Sequence, residues 1–317
     1  MNTSVPSDLP VVAVLAGPTA SGKSAIALAL AERLGGTVIN ADASQVYADL
    51  RVVSARPSPD DEARAPHRLF GHVDGADAGY SAARWAGEAK QAIAQAHATG
   101  RLPILVGGTG LYLRTLIDGI APVPDIDPAI RAETRAMAVR DAYAALVQFD
   151  PAHAATLNPA DTTRVARALE VVRSTGRSIA AWRADRVGGI ADRVRIVATV
   201  LLPPRNWLDA RIAARVDAML KNGAIEEVRA LLARPDIAPQ APILRAIGVR
   251  EISAMIAGMA SADQTAAAIT LATHQYAKRQ FTWFRNQPPS AWARYHSTDS
   301  VECLNEIEIR LFEKRLT

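Results

Sequence analysis

Residues Gly17-Pro18-Thr19-Ala20-Ser21-Gly22-Lys23-Ser24 spell G-x-x-x-x-G-K-[ST] between an apolar run, Val11–Ala16, and an alanine- and leucine-rich run, Ala25–Leu34. The order predicts a buried strand, a glycine-rich loop and a helix. In such a loop consecutive backbone N–H groups point inward, and the helix N-terminus adds its dipole, so the loop cradles phosphates. Lys23 supplies a charge for the outer phosphate and the Ser24 hydroxyl a ligand for Mg²⁺. The chain has five lysines against thirty-one arginines, which makes a lysine at this position less ordinary. The pattern names a phosphate site and leaves the reaction open.

At 317 residues and 49% hydrophobic content the chain can bury one large core or two smaller ones. A formal charge of +4 and a pI near 9.4 permit an anionic partner without requiring one. The lone cysteine, Cys303, excludes an intramolecular disulfide and a cysteine-based zinc module. The polar segment 1–8 has no signal core and no run is long enough to span a membrane, so a soluble cytoplasmic protein is expected.

Further strands should deliver chemistry to the edge where the first loop lies. Thr37–Asn40 reads as a second strand, with Asp42 just beyond its end. Ligands of open α/β sheets bind beyond the carboxyl ends of strands, so Asp42 should face the phosphates; a simple turn cap is the other reading. Residues 51–80, rich in Arg, Pro, Asp and Gly, read as irregular chain, and a helix capped by Ser81 should run to about His97. Leu102–Val106 is a third strand leading into Gly107-Gly108-Thr109-Gly110. That segment is either a tight turn or a close approach of backbone and the Thr109 hydroxyl to a ligand. No acid follows Val106, as a metal-holding ATPase strand would require, and no guanine-reading Asn-Lys-x-Asp occurs. Asp42 is the sole strand-end acid beside the cradle.

From Pro122 to Asp192 the pattern turns helical, over 129–146, 162–174 and 178–184, before a strand returns at 194–202. This reads as a helical insertion within one sheet. Arg164 and Arg167 share a helix face, either simply solvated or binding an anion. Residues 208–233 should be a long helix or a pair, with Arg211 and Arg215 on one face. His274–Arg285 interleaves three basic residues with four aromatics and contains no acid. It is either a base-stacking, phosphate-gripping helix or an amphipathic core helix.

Together these motifs resemble the bacterial tRNA dimethylallyltransferases, or isopentenyltransferases. The matching stretches are Gly17–Ser24, Asp42–Tyr47, Val106–Tyr112, Arg164–Glu170, Arg245–Arg250 and Lys278–Arg285, in the family's order over nearly the whole chain. The resemblance implies an α/β fold, a P-loop NTPase-like parallel sheet flanked by helices with an inserted all-helical subdomain. The core would comprise 9–124 and 193–290, the tRNA-contacting insertion 125–192 and a C-terminal tail 291–317. It implies transfer of a dimethylallyl group from dimethylallyl diphosphate to the N6 amine of the adenosine 3′ of the anticodon. Asp42 would be the general base and Thr109 would donate to the bridging oxygen. Gly17, Pro18, Thr19, Ala20, Ser21, Gly22, Lys23 and Ser24, with Mg²⁺ on Ser24, would hold the diphosphate, and Arg211 or Arg215 would close over it.

The tRNA anticodon stem-loop would meet Asp42, Ala43, Ser44, Gln45, Thr109, Arg131, Thr163, Arg164, Val165, Ala166 and Arg167. It would also meet Arg245, Ala246, Ile247, Gly248, Val249 and Arg250, and Lys278, Arg279, Gln280, Phe281, Thr282, Trp283, Phe284 and Arg285. A monomer is expected. The target base must leave its stack, and Gln45 is suited to read its edge. The chain departs from the family at Ala43, where Ser is common, at Ser54 and Arg56, where Thr and Lys are usual, and at His274, where Arg is frequent. The competing readings are a small-molecule P-loop kinase, an enzyme prenylating free adenine nucleotides, and a non-catalytic RNA-binding module with a nucleotide switch.

Overall fold

A computed structural model describes residues 9–316 of the chain; the N-terminal segment 1–8, read above as polar and without a signal core, lies outside the described residues. One compact unit ends at Leu116 and resumes at Ile190, and the other is Ile117–Gly189.

The first unit opens with β1 (Val11–Ala16), α1 (Lys23–Leu34) and β2 (Gly36–Asn40). After α2 (Pro59–Arg64) and β3 (His67–Arg68) come α3 (Ala82–Ala98), β4 (Leu102–Gly107) and α4 (Gly110–Asp118). The second unit holds α5 (Pro128–Ala136), α6 (Val139–Phe149), α7 (Pro151–Ala154), α8 (Thr162–Thr175) and α9 (Ile179–Ala184). The chain then returns as β5 (Arg195–Leu201), α10 (Arg205–Lys221), α11 (Ala224–Leu232), α12 (Val249–Ile256), α13 (Ala262–Asn286), β6 (Ala293–Tyr295) and α14 (Ser300–Leu316). No described helix is long and apolar enough to cross a membrane.

The six strands are all parallel, in the order β3-β2-β4-β1-β5-β6. β1 is buried on both faces, which is why its sequence is a continuous apolar run instead of an alternating one. β2, β4 and β1 are neighbours in register, Asn40 beside Val106 and Ala16 beside Gly107, so their carboxyl ends fall side by side. This adjacency brings three loops distant in sequence to one edge.

Two short elements were not legible in sequence. The stretch 51–80, expected to be irregular, contains α2, closed by a Ser58–Asp61 capping box, and the edge strand β3. The segment 291–317, set apart as a tail, is part of the core: β6 extends the sheet beside β5. Cys303, Leu304, Ile307 and Leu311 of α14 pack with Ile26, Leu30 and Ile104. The four residues share one helix face, so their burial fixes α14 against the core.

The second unit has its own core of Leu146, Ala154, Val165, Leu169 and Val172. It begins before the composition change at Pro122, because Ile120 and Val187 pair as an antiparallel bridge that closes its neck.

Candidate active site

The cradle is built at the end of β1. Lys23, the first residue of α1, is buried, and its Nζ donates to Pro18 O at 3.1 Å. Burial lowers its pKa to about 8; the Asp42 carboxylate opposes that shift and the Arg215 guanidinium adds to it. Lys23, Asp42 and Arg215, from three separate elements, therefore share one electrostatic neighbourhood. Ser21 Oγ is buried with no hydrogen-bond partner among the described residues, a group that an incoming phosphate oxygen would satisfy. Ser24 stands exposed on the first turn of α1. Among the described residues no group of three or more His, Cys, Asp or Glu is arranged to hold a metal ion. A divalent cation here would take the Ser24 hydroxyl and draw its remaining ligands from a bound anion and water.

Asp42 leaves the end of β2 in a tightly held turn. Fully buried Asn40 accepts the Asp42 N–H at 2.8 Å and donates to Asp42 O at 2.9 Å and Leu69 O at 3.0 Å. Trp85, fully buried on α3, donates its indole N–H to Asn40 O at 2.9 Å and stacks on Tyr112 at 4.5 Å. Asp42 Oδ1 accepts from Ser44 N–H at 2.9 Å and Ser44 Oγ at 2.7 Å. From β4, Thr109 Oγ1 accepts the Ala43 N–H at 2.9 Å. The close approach of the two strand ends demands glycine: a Cβ on Gly107 would come within 2.1 Å of Ala41 O. Gly107–Thr109 is therefore more than a tight turn, since it grips the Asp42 loop directly.

Two of the three arginines of α10, Arg211 and Arg215, reach the phosphate loop. Arg215, half-buried, donates from Nη1 to Thr19 Oγ1 at 3.0 Å and from Nη2 to Ser54 O at 3.4 Å. Burial lowers its pKa and Asp42 opposes the shift. Arg211 is exposed, donates to Ala20 O at 3.0 Å and lies over the Trp207 ring. Glu227 of α11 accepts the N–H groups of Arg51, Val52 and Val53 at 2.8, 2.7 and 3.0 Å, which holds the Ser54 carbonyl where Arg215 meets it. Glu227 and Asn40 act through backbone, and neither carries a spacing signal that sequence reading could have caught.

Helix α13 divides its residues between two faces. Lys278, Arg279, Thr282 and Arg285 are exposed, whereas Gln280 and Phe284 are buried. Trp283 lies against Gly110, where a Cβ would meet its ring at 2.6 Å, and the Arg205 guanidinium sits over Phe281. Arg205, Leu208, Asp209, His274, Ala277, Lys278 and Phe281 line a cavity of about 270 Å³. Tyr276 is half-buried; burial and the nearby Asp42 carboxylate push its hydroxyl above the usual phenol range, while a hydrogen bond with Thr109 opposes this. Sequence reading did not place Tyr276 in the site, although it lies one helical turn before Gln280 on the same face.

Several residues expected to touch RNA are turned elsewhere. Gln280 spends its amide on two loops, Phe284 is fully buried, Val249 is buried at the start of α12, and Gly248 is buried beside it. These side chains, fixed inward by packing, do not present a surface to RNA. Arg245 and Arg250 are exposed, with Ala246 and Ile247 half-buried between them. Gln45 donates its Nε2 to Ser54 O at 3.1 Å and Ala55 O at 2.8 Å, so only its amide oxygen remains to read a base edge.

Within the second unit, Arg131, Thr163 and Arg164 are exposed and Val165 is buried in the core. Ala166 is half-buried. Arg164 lies 3.4 Å from Asp161, while Arg167 lies 3.6 Å from buried Glu170, which also accepts from Arg135 at 2.8 Å. The two arginines that share a face in sequence thus have different obligations: one is solvated and one compensates a buried carboxylate.

A sequence model of the family described as IPP transferase matches residues 45–287. That span begins just after Asp42, but longer matches include the cradle. The chain is 62% identical over 307 residues to a tRNA dimethylallyltransferase of Sphingopyxis alaskensis, covering 96% of this chain and 100% of that one. It is similar to the solved tRNA isopentenylpyrophosphate transferase of Bacillus halodurans, with 32% identity and a TM-score of 0.68, over 97% of this chain and 98% of that one. A eukaryotic dimethylallyltransferase, solved in snapshots acting on tRNA, aligns with 28% identity and a TM-score of 0.75, over 86% of this chain and 69% of that one.

Proposed function

The chain belongs to the tRNA dimethylallyltransferase family, the IPP transferases, and we propose a division of labour among its residues for that reaction. It is a transferase that modifies tRNA. The donor we assign is dimethylallyl diphosphate and the acceptor the exocyclic N6 amine of the adenosine 3′ of the anticodon, within the anticodon stem-loop. The observation that carries this reading is the electrostatic interaction of Asp42 with Lys23, which follow the two strands flanking β4. A base for the acceptor and a charge for the leaving group stand together.

In this reading the amine nitrogen attacks the allylic carbon. The carbon–oxygen bond breaks with its electron pair going to diphosphate, and Asp42 takes the proton that the amine sheds. Lys23, the N–H groups at the start of α1 and Arg215 hold the leaving group, and their positive charge matters most as its oxygens gain charge. Thr109, whose Oγ1 accepts from Ala43 and which also hydrogen-bonds Tyr276, would turn its hydroxyl proton from Tyr276 toward the bridging oxygen. The Ser24 hydroxyl would hold Mg²⁺, which would supply positive charge to offset part of the same build-up. The sequence left Arg211 and Arg215 undecided. The half-buried Arg215, coupled to Asp42 and Lys23, is the better placed to grip the diphosphate; Arg211 braces the loop from outside.

RNA contacts are assigned to the exposed faces: Ser44, the amide oxygen of Gln45, Arg245, Arg250, Lys278, Arg279, Thr282 and Arg285, with Arg131, Thr163 and Arg164 of the insertion. The enzyme is placed in the cytoplasm as a monomer. One experiment tests the reading: purified protein with labelled dimethylallyl diphosphate and Mg²⁺, offered an anticodon stem-loop or AMP. Label should pass to the stem-loop and not to AMP. Equal labelling of AMP would overturn the RNA acceptor, and transfer of phosphate from ATP instead would overturn the chemistry.

A further inference from the structure

Gln280 is the one polar side chain of α13 that is almost completely buried near the phosphate loop, at 5% exposure. Its Oε1 accepts the Thr19 N–H at 2.8 Å and its Nε2 donates to Gly108 O at 2.8 Å. Only this amide orientation serves both groups, because one neighbour is a donor and the other an acceptor. The fit leaves no slack: a Cβ on Gly108 would lie 2.2 Å from Nε2. Thr19 and Gly108 follow different strands, and among the described residues no backbone hydrogen bond outside the sheet ladder joins the two loops. The amide is thus a bridge between the cradle and the loop that holds the Asp42 turn.

We propose that Gln280 is a positioning residue for the diphosphate site, setting the phosphate loop against the Gly107–Thr109 loop, and that it does not contact RNA. The inference rests on the proposed donor, and it explains the geometry at Arg215. With its N–H held by Gln280, Thr19 presents its hydroxyl to Arg215 Nη1 at 3.0 Å. The same amide holds the carbonyl preceding Thr109, whose hydroxyl accepts from Ala43 beside Asp42. One side chain therefore sets the spacing between the grip on the leaving group and the turn that carries the base.

Gln280→Met keeps the length and removes both hydrogen bonds; Gln280→Asn keeps the amide but is too short to reach both partners. Affinities are measured for inorganic diphosphate, for dimethylallyl diphosphate and for an anticodon stem-loop, together with melting temperature and steady-state constants. The expected result for both variants is roughly tenfold weaker binding of each diphosphate, the scale of a lost buried hydrogen bond. The Michaelis constant for the donor should rise in parallel, with stem-loop affinity unchanged. If Met does not fold, the Asn variant carries the same readout.

A merely structural role would lower the melting temperature and the active fraction without moving the donor Michaelis constant, and would overturn the proposal. Weaker stem-loop binding with intact diphosphate binding would overturn it in favour of an RNA contact. If the wild-type protein binds neither diphosphate, the donor reading fails first and the bridge falls with it. If the wild type binds and both variants bind equally well, the bridge alone fails.

Discussion

Thr109 Oγ1 accepts the Ala43 N–H at 2.9 Å, so a hydroxyl at the end of β4 holds the turn that carries Asp42 from the end of β2. A family-typical Ser at 43 would add a hydroxyl here, but the contact made by residue 43 is through backbone, which Ala43 supplies equally. Thr109→Ser should retain most activity, whereas Thr109→Val, which cannot accept, should lose about ten- to a hundredfold in transfer rate. Single-turnover transfer to a stem-loop measures both; comparable rates for Ser and Val would remove the hydroxyl from the mechanism.

Asp42→Asn preserves the size of the side chain and an acceptor for Ser44, but cannot take a proton. Transfer should fall by about a hundred- to ten-thousand-fold, the usual cost of losing a general base. Diphosphate and stem-loop binding should stay near wild-type values. A variant that turns over normally would require the proton to leave by another route.

Lys23 gives the donor site a pH dependence of known sign. In the folded chain its ammonium loses its proton as pH rises through about 8, below the ordinary 10.5. Diphosphate binding needs the charged form, so affinity should decline above that pH, by about tenfold per unit. Between about 8 and 10.5 the unfolded chain binds more protons at this group than the folded one, so its contribution to stability rises with pH over the same window. Calorimetry at pH 9 in buffers of different ionisation enthalpy should show proton uptake on binding. Lys23→Met should abolish that uptake; its persistence would assign the proton elsewhere.

Arg215 and Arg211 both touch the phosphate loop, but from different depths. Arg215→Ala should weaken diphosphate binding by about ten- to a hundredfold, as loss of a partly desolvated charged hydrogen bond does, and Arg211→Ala by only a few-fold. Titration with inorganic diphosphate separates them, and a larger effect at Arg211 would reverse the assignment.

Arg164 and Arg167 should not behave alike. Arg167→Ala leaves Glu170, which is 1% exposed, with Arg135 as its remaining cation and should cost about 1–3 kcal/mol of stability. Arg164→Ala should leave the melting temperature nearly unchanged and lower the salt slope of stem-loop binding by about 0.7 to 0.9 for one lost phosphate contact. An unchanged slope would show that Arg164 is only solvated.

The nature of the cradle was written in the sequence because it depends on local rules: strand, glycine turn, lysine and helix N-terminus are contiguous from Val11 to Leu34. The same holds for α3, whose Ser81 cap and apolar spacing are local, and for the helical character of 122–192. Relations between segments were decided only in the folded chain. β2, β4 and β1 lie side by side because the sheet order is set by packing, and that order is what brings Asp42, Thr109 and Lys23 together. The edge strands β3 and β6 are too short to show a period, and α14 declares itself only by burying Cys303, Leu304, Ile307 and Leu311. On α13 the residue types told that the helix was basic and aromatic, but which of them face inward depends on the neighbours its two faces meet. Gln280 is polar in any sequence; a donor at Thr19 on one side and an acceptor at Gly108 on the other make it part of the core, and those partners are 261 and 172 residues away.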